Sequence, residues 1–527
     1  MTPGTMQPYA LTLDKIIDHA AKWHSRAEVV TATEGGARAR VDYAGLKANA
    51  QRISAALAAH GIAMGDTVAT LAWNSQAHLE CWYAVMGMGA VCHTLNPRLL
   101  SAQLTSMVQQ SAPRALVVSA DLEALARDIL RSNSSVEVVF TIDGDATGAL
   151  ANEGNFRVAS FADAPADPAG IVWGDFDENT PCGLCFTSGT TGEPKGVTYT
   201  HRGNFLHMLR QLQADVAGLT GADTVLAVVP MFHANAWGLP FSVPAVGGKL
   251  VLPGRHADGK SLAQLIRDEG VTVAVGVPTV WLGLVDHLDA AGEDVPSLRR
   301  IMVGGAPMPP ALMERIEARG IRVQTTWGMT EISPLGTATP QSGESGDPSI
   351  SGRPAIGIDL LLADASGEPL EEQRGAEGHL WVRGPSVVDK YSGQPEPATR
   401  NGWFETGDLA RIDAAGMLTI TGRSKDLIKS GGEWINPSQI EAIIGRHPDV
   451  SSAAVIGREH TRWGERPILL VELRQGARTS DEALLETLAG RVATWWRPDT
   501  VLRLAKMPLA ATGKIDKLRL RSEYGRS

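Results

Sequence analysis

Residues 186–201, FTSGTTGEPKGVTYTH, gather the side chains that hold phosphate into one turn-rich run. Glycines let backbone N–H groups crowd an anion. Ser188, Thr190 and Thr191 add hydroxyl donors, and Lys195 adds a point charge. The run is not a Walker loop, which needs Gly-Lys followed by Ser or Thr so that the last hydroxyl meets magnesium. Here Pro194 precedes Lys195, and Gly196 follows it. A few such residues would read as a plain connection, but the whole string reads as a polyphosphate cradle. A second spacing with chemical potential, Cys182-x-x-Cys185, leads into this loop. Zinc would need a second ligand pair, and only Cys81 and Cys92 complete the set of four cysteines. Within PCGLCFTSG, the pair reads as small buried strand residues.

The elements that position these residues follow from pattern. A chain of 527 residues is expected to form two or more domains. With 43% hydrophobic and 20% charged residues it has an ordinary globular composition. A net charge of -10 argues against nucleic acid or an anionic membrane as a general partner, because both need a basic face. The start, MTPGTMQPYALTLDKII, lacks the basic-then-apolar order of a secretory signal, and no apolar run approaches a membrane span. A cytoplasmic location is expected.

ADTVLAVVP, GKLVLPG, VTVAVGVP, RRIMVGGAP and IRVQTTWG read as buried strands. SLAQLIRDEG and PPALMERIEARG read as helices, stopped by Gly270 and Gly320. Apolar strands joined by helices imply a parallel sheet covered on both faces. The earlier YAGLKANAQRISAALAAHG and DTVATLAW repeat the helix-then-strand pattern. Residues 143–170 read as an irregular surface connection. After about residue 350, GHLWVRGP and DLARIDAAGMLTITGR look antiparallel, with a turn at Asp413 to Gly416. Beyond Gly422 a smaller unit begins. It is read as helix PSQIEAIIGRHP, strands VSSAAVIG and PILLVELRQG, a helix over 481–496 and a last strand near Val501.

TSGTTGEPKGV resembles the phosphate loop of the adenylate-forming (ANL) enzymes, which include acyl-CoA synthetases, peptide-synthetase adenylation domains and luciferases. TTWGMTE, TGD, GRSKDLIKSGGEWINPSQIE and ATGKIDK follow in that family's order and spacing and span most of the chain. The resemblance implies an α/β fold. A large N-terminal domain of parallel-rich αβα sheets plus a β-barrel-like subdomain (1–422) would precede a small mobile α+β C-terminal domain (423–527), hinged near Lys425. It also implies ATP, Mg²⁺ and coenzyme A, and a homodimer is common in that family.

Residue by residue, the resemblance assigns the nucleotide to Thr187, Ser188, Gly189, Thr190, Thr191, Gly192, Lys195, Gly305, Ala306 and Pro307. Thr325, Thr326, Trp327, Gly328, Met329, Thr330, Asp408 and Arg423 complete that set, Trp327 being readable also as packing. An ionised Asp408 suits a vicinal diol, since a carboxylate accepts two hydrogen bonds. Glu331, with Thr187, is the implied oxygen set for Mg²⁺. Glu331 also reads as a helix-start carboxylate. Lys514 is the implied mobile cation between substrate carboxylate and α-phosphate, with His233 near that carboxylate.

Gly304, Gly305, His233, Trp237, Gly238, Val277 and Pro278 are the implied acyl pocket, an apolar one. Lys429, Ser430, Gly431, Gly432, Glu433 and Trp434 are the implied CoA strip, the glycines leaving room for a slender pantetheine arm. The acyl branch suggested is the fatty one, including ligases for methylthiopropionate and arylalkanoic acids. Two other readings stay open from residues alone: an enzyme that loads a carrier protein, and a non-catalytic nucleotide-binding member of the fold.

Overall fold

The computed structural model describes residues 4–146, 148, 150, 155–163, 172–187, 194–341, 346–510 and 514–526. Three sheets organise them. In the largest, the strands Glu28–Ala32, Lys249–Leu252, Thr224–Ala227, Val273–Gly276, Arg300–Val303 and Arg322–Gly328 lie side by side and parallel. The last five are the apolar runs expected from the sequence, and Glu28–Ala32 joins them without having been expected. They are almost wholly buried because helices cover both faces. The helices start and stop where their end residues dictate. Asp258 accepts a hydrogen bond from the Ser261 N–H to cap Gly259–Glu269, and Gly270 ends it at φ +64°. Pro278 opens Pro278–Ala291, and Gly292 closes it.

The second sheet runs Arg157–Ala159, Val138–Ile142, Ala115–Ser119, Thr67–Leu71, Val91–Leu95, Pro181–Thr187, Lys195–Thr200. Cys182 and Cys185 are buried in its strand Pro181–Thr187. Burial raises both thiol pKa values, Cys182 to about 12, so they are inert packing residues. The segment 143–170 is not wholly irregular. Arg157–Ala159 adds an edge strand, and Phe161 stacks on Phe140 at 4.3 Å between ring centroids.

The antiparallel strands Leu335–Ala338, Ile350–Pro354, Leu418–Arg423, Trp403–Ile412, Glu377–Arg383 and Asp359–Ala363 extend the largest sheet beyond Arg322–Gly328. The predicted turn at Asp413 is present, with the Asp413 carboxylate accepting from the Met417 N–H. The third sheet holds Ile428–Ser430, Glu433–Ile435, Val450–His460, Gly464–Leu473 and Thr500–Arg503. Its apolar clusters, around Ile440, Leu469 and Leu520, draw only on residues from Ile428 onward among those described. One expectation fails here. The helix expected over 481–496 is regular only over Asp481–Glu486, capped by Ser480. Gly490 then takes φ +69°, which no continuous right-handed helix contains. Among the described residues no helix is long and apolar enough to cross a membrane.

Gly352 sits at φ +90° where the pairing of Ile350–Pro354 shifts register. A Cβ there would lie 1.9 Å from the carbonyl carbon of Ala338. Gly352→Ala is therefore expected to destabilise the protein by about 1–3 kcal/mol, the usual cost of forced overpacking, read as a lowered thermal midpoint.

Candidate nucleotide and acyl site

Four neighbouring parallel strands, Thr224–Ala227, Val273–Gly276, Arg300–Val303 and Arg322–Gly328, deliver their loops to one edge of the sheet. Ligands of open parallel sheets bind at that carboxyl edge. The first loop carries His233 and Trp237, the second Val277 and Pro278, and the third Gly304 to Pro307; the fourth strand ends in Thr326 to Gly328, and its loop carries Met329 to Glu331.

The loops fit closely. A Cβ on Gly304 would stand 2.5 Å from the Thr326 hydroxyl and 3.1 Å from the Trp237 ring. Gly305 takes φ +78°, and its missing Cβ position lies 3.5 Å from Val277, 3.6 Å from the Lys514 Cε and 3.7 Å from Trp237. Glycine is thus required here for backbone conformation and for close approach. Ala306 and Pro307 continue the loop outward, half-buried and exposed. Trp237 reaches this position from an unusual backbone. Ala234, Asn235, Ala236 and Trp237 all have positive φ, between 44° and 55°. Such conformations cost about 1–3 kcal/mol each for residues other than glycine. Gly238 follows at φ +79°, packed against His207, and Gln211 donates to the Trp237 carbonyl at 2.9 Å.

Beside these loops stands a cross-strand pair. Asp408 and Arg423 oppose one another on antiparallel strands. The Arg423 Nε lies 2.8 Å from one Asp408 oxygen, and the Trp327 indole N–H donates to the other at 2.8 Å. Asp408 is 3% exposed, so these donors keep a buried carboxylate paired while leaving lone pairs for a further partner. Glu331 is likewise buried, in the short helix Thr330–Ile332, and accepts from the Tyr391 hydroxyl at 2.9 Å. Burial raises its pKa, opposed by Tyr391, Arg423 and Lys195. Lys195 is exposed, its ammonium 5.0 Å from the centre of the Tyr391 ring. Tyr391 therefore ties Lys195 to Glu331. The Tyr199 hydroxyl donates to the Thr330 carbonyl at 2.8 Å, joining the second sheet to the first at this point.

Lys514 comes to this edge from the far end of the chain. Burial lowers its ammonium pKa to about 8, helped by the nearby charges of Arg423 and Lys425 and opposed by Asp408 and Glu331. Burial and Lys514 together lower His233 to about 4, so its imidazole is neutral at pH 7.

Other predicted residues lie elsewhere or serve other ends. Ser188, Gly189, Thr190, Thr191 and Gly192 lie outside the described residues. Thr187 is half-buried at the strand end, its hydroxyl 3.5 Å from the Lys195 carbonyl. Thr325 is not brought to the site. Alternation along the strand turns it away from Thr326, and its hydroxyl donates to the Ile350 carbonyl at 2.5 Å. Gly328 is needed because a Cβ would stand 2.0 Å from the Pro334 carbonyl oxygen, to whose peptide the Met329 N–H also donates. Gly431 and Gly432 form the turn of the hairpin Ile428–Ser430/Glu433–Ile435. Both have positive φ, as a two-residue turn of that type demands. The Trp463 ring packs on Gly431, Arg466 donates to Ser430, and Lys429 lies over Trp434, which is 54% exposed.

Sequence reading missed Tyr391 and the indole–carboxylate bond from Trp327 to Asp408. The only local hint was a buried carboxylate in TGD that needed donors. Among the described residues, no three His, Cys, Asp or Glu side chains converge as a metal cage. Glu331 leaves one oxygen uncommitted among the hydrogen bonds found, which fits a hard cation bound mostly by water and substrate phosphate.

Comparison with known proteins gives the setting. A family model described as AMP-binding enzyme matches residues 17–392, and one described as AMP-binding enzyme C-terminal domain matches residues 439–514. The 3-methylmercaptopropionyl-CoA ligase of Ruegeria lacuscaerulensis is 40% identical, covering 99% of this chain and 98% of the relative. The medium-chain-fatty-acid–CoA ligase of Ectopseudomonas oleovorans is 38% identical over 99% and 97%. The crystal structure of ATP-bound MatB from Rhodopseudomonas palustris superposes with a TM-score of 0.85 at 26% identity, covering 98% and 99%.

The charge on Lys514 yields a measurable expectation. In the ligand-free protein its ¹³Cε NMR resonance should titrate with a midpoint near 8. Arg423→Met should raise that midpoint, since it removes a repelling cation and frees Asp408 to attract.

Proposed function

The chain belongs to the AMP-binding enzyme family, and from that premise we propose that one pocket carries out two half reactions by receiving two different parts of the C-terminal unit. The protein is an AMP-forming acyl-CoA ligase, with ATP, a carboxylic acid and CoA as substrates. The proposed acid is hydrophobic: fatty, methylthioalkanoic or arylalkanoic. Val277, Trp237 and the side-chain-free Gly304 support this choice, as do the activities named for the relatives.

In the first half reaction a carboxylate oxygen attacks the α-phosphorus of ATP. The bond to the β-phosphate oxygen breaks and pyrophosphate leaves. Two anions must meet, and the carrying observation is the placement of Lys514 beside Gly305, within the fields of Arg423, Asp408 and Glu331. Its ammonium bridges the acid and the α-phosphate and offsets charge that grows in the transition state. Neutral His233 orients the acid without adding charge. Asp408 accepts from the ribose hydroxyls while Trp327 and Arg423 hold it in place. Lys195 and the loop before it take the outer phosphates. Mg²⁺ would be held by Glu331 and Thr187 and would supply neutralisation of phosphate charge.

In the second half reaction the CoA sulfur attacks the acyl carbon, and the bond to AMP breaks. For this we assign residues 423–527 as a unit that turns about Lys425, withdrawing Lys514 and bringing in the hairpin Lys429–Trp434.

Lys514→Ala should lower acid-dependent pyrophosphate release by at least about 100-fold while thiolation of supplied acyl-adenylate continues. Equal loss in both half reactions would count against the two-placement account. Free CoA as acceptor should give thioester; thioester only with a carrier protein would replace the ligase reading. kcat/KM measured across short, medium, long, sulfur-containing and aryl acids should favour apolar chains. Trp237→Ala should shift that profile, and an unchanged profile would remove Trp237 from the pocket.

A further inference from the structure

The loop that carries Lys514 is tied into the C-terminal helix Lys517–Tyr524. The Ala510 N–H donates to the Lys514 carbonyl at 2.7 Å, and the Asp516 N–H donates to the Pro508 carbonyl at 2.9 Å. Asp516 then caps the helix by accepting from the Arg519 N–H. Lys514 thus stands two residues before a helix cap, and its position follows that of the helix. Leu520, fully buried with Ile456, Ile468 and Met507, anchors the helix on the third sheet.

One face of this helix presents Lys517 and Arg521, four residues apart. Both point at Asp426, the residue after Lys425. The Arg521 guanidinium is 2.8 Å from the Asp426 carboxylate, and the Lys517 ammonium is 3.8 Å from it. Lys517 also pairs with Glu441 at 2.8 Å, and Glu441 accepts from the Val455 N–H at 2.6 Å. These groups are largely screened from water: side-chain exposure is 13% for Asp426, 17% for Lys517 and 18% for Glu441. On the other side of Lys425, Arg423 pairs with Asp408, and the Ser424 hydroxyl lies 3.1 Å from the His379 ring. Lys425 is therefore a single residue between two clamps, one fixed to the antiparallel strands and one to the C-terminal helix.

We propose that Asp426, Arg521 and Lys517 form a positioning clamp that transmits the backbone setting at Lys425 to Lys514. The proposal rests on the reading of Lys514 as the cation of the first half reaction. The hairpin assigned to CoA follows Asp426 directly in the chain and holds its own contacts to Arg466 and Trp463, so it does not depend on the helix. Loosening the clamp should therefore misplace Lys514 and spare the hairpin. A displacement of about 1 Å at a reacting group costs on the order of 100-fold in rate.

The test is Arg521→Met in the full-length enzyme, with Arg521→Lys and Lys514→Ala in parallel. For Arg521→Met, kcat of acid-dependent pyrophosphate release should fall about 10–100-fold. KM for ATP and acid should change by less than about twofold, because the groups assigned to binding remain, and Arg521→Lys should recover most of the loss. Thiolation of supplied acyl-adenylate by the same sample should stay unchanged, which also shows that the variant is folded. Unchanged pyrophosphate release in Arg521→Met, or equal loss in both half reactions, overturns the clamp. Lys514→Ala separates the two levels of failure. If it loses release while Arg521→Met keeps it, only the clamp is wrong; if it keeps release, the reading of Lys514 falls and the clamp falls with it.

Discussion

The structure turns on the placing of one ammonium ion in a desolvated cleft that already contains other cations. Burial and the charges of Arg423 and Lys425 bring the Lys514 pKa down to about 8. Desolvation and like charge both disfavour the protonated form of a lysine so placed, and a neighbouring anion favours it. The same reasoning explains its neighbours. Asp408 and Glu331 pull the other way, and each is kept ready by donors, Trp327 and Arg423 for one, Tyr391 for the other. Under the proposed function, phosphate and carboxylate complete this charge balance.

Sheet topology makes this balance achievable. Parallel strands end on one edge, so residues from four separate loops converge without any of those loops being long. The antiparallel extension brings Asp408 opposite Arg423 at the same edge. The second sheet meets it through Tyr199 and Thr330 and through the contact of Lys195 with Tyr391. Lys514 arrives from a unit with its own core, which is why the proposed chemistry assigns it to a moving part.

The backbone around Trp237 shows a different use of energy. Four consecutive residues with positive φ hold the indole against Gly304 and Gly305. In ANAW only Asn235 tolerates that conformation readily, while the two alanines and the tryptophan gain nothing from it. Packing of Gly238 on His207 and the hydrogen bond from Gln211 support it instead.

Residues of the cleft were legible in the sequence only through the resemblance of their motifs to a known family. The sequence alone determined the parallel strands from Thr224 onward, the helices expected before Gly270 and Gly320, and the antiparallel turn at Asp413. Each of these is a local matter of apolar runs, caps and turn residues, legible within a short window. Local pattern failed at 481–496, where apolar spacing continued past a glycine that the fold sets at φ +69°. Tertiary structure alone decided that Tyr391 reaches Glu331, that Trp327 donates to Asp408, that the Thr325 hydroxyl donates to the Ile350 carbonyl, and that Asp426 is gripped by Arg521. Those contacts join residues far apart in the chain, whose meeting depends on strand order and register, and neither leaves a periodic mark in the sequence.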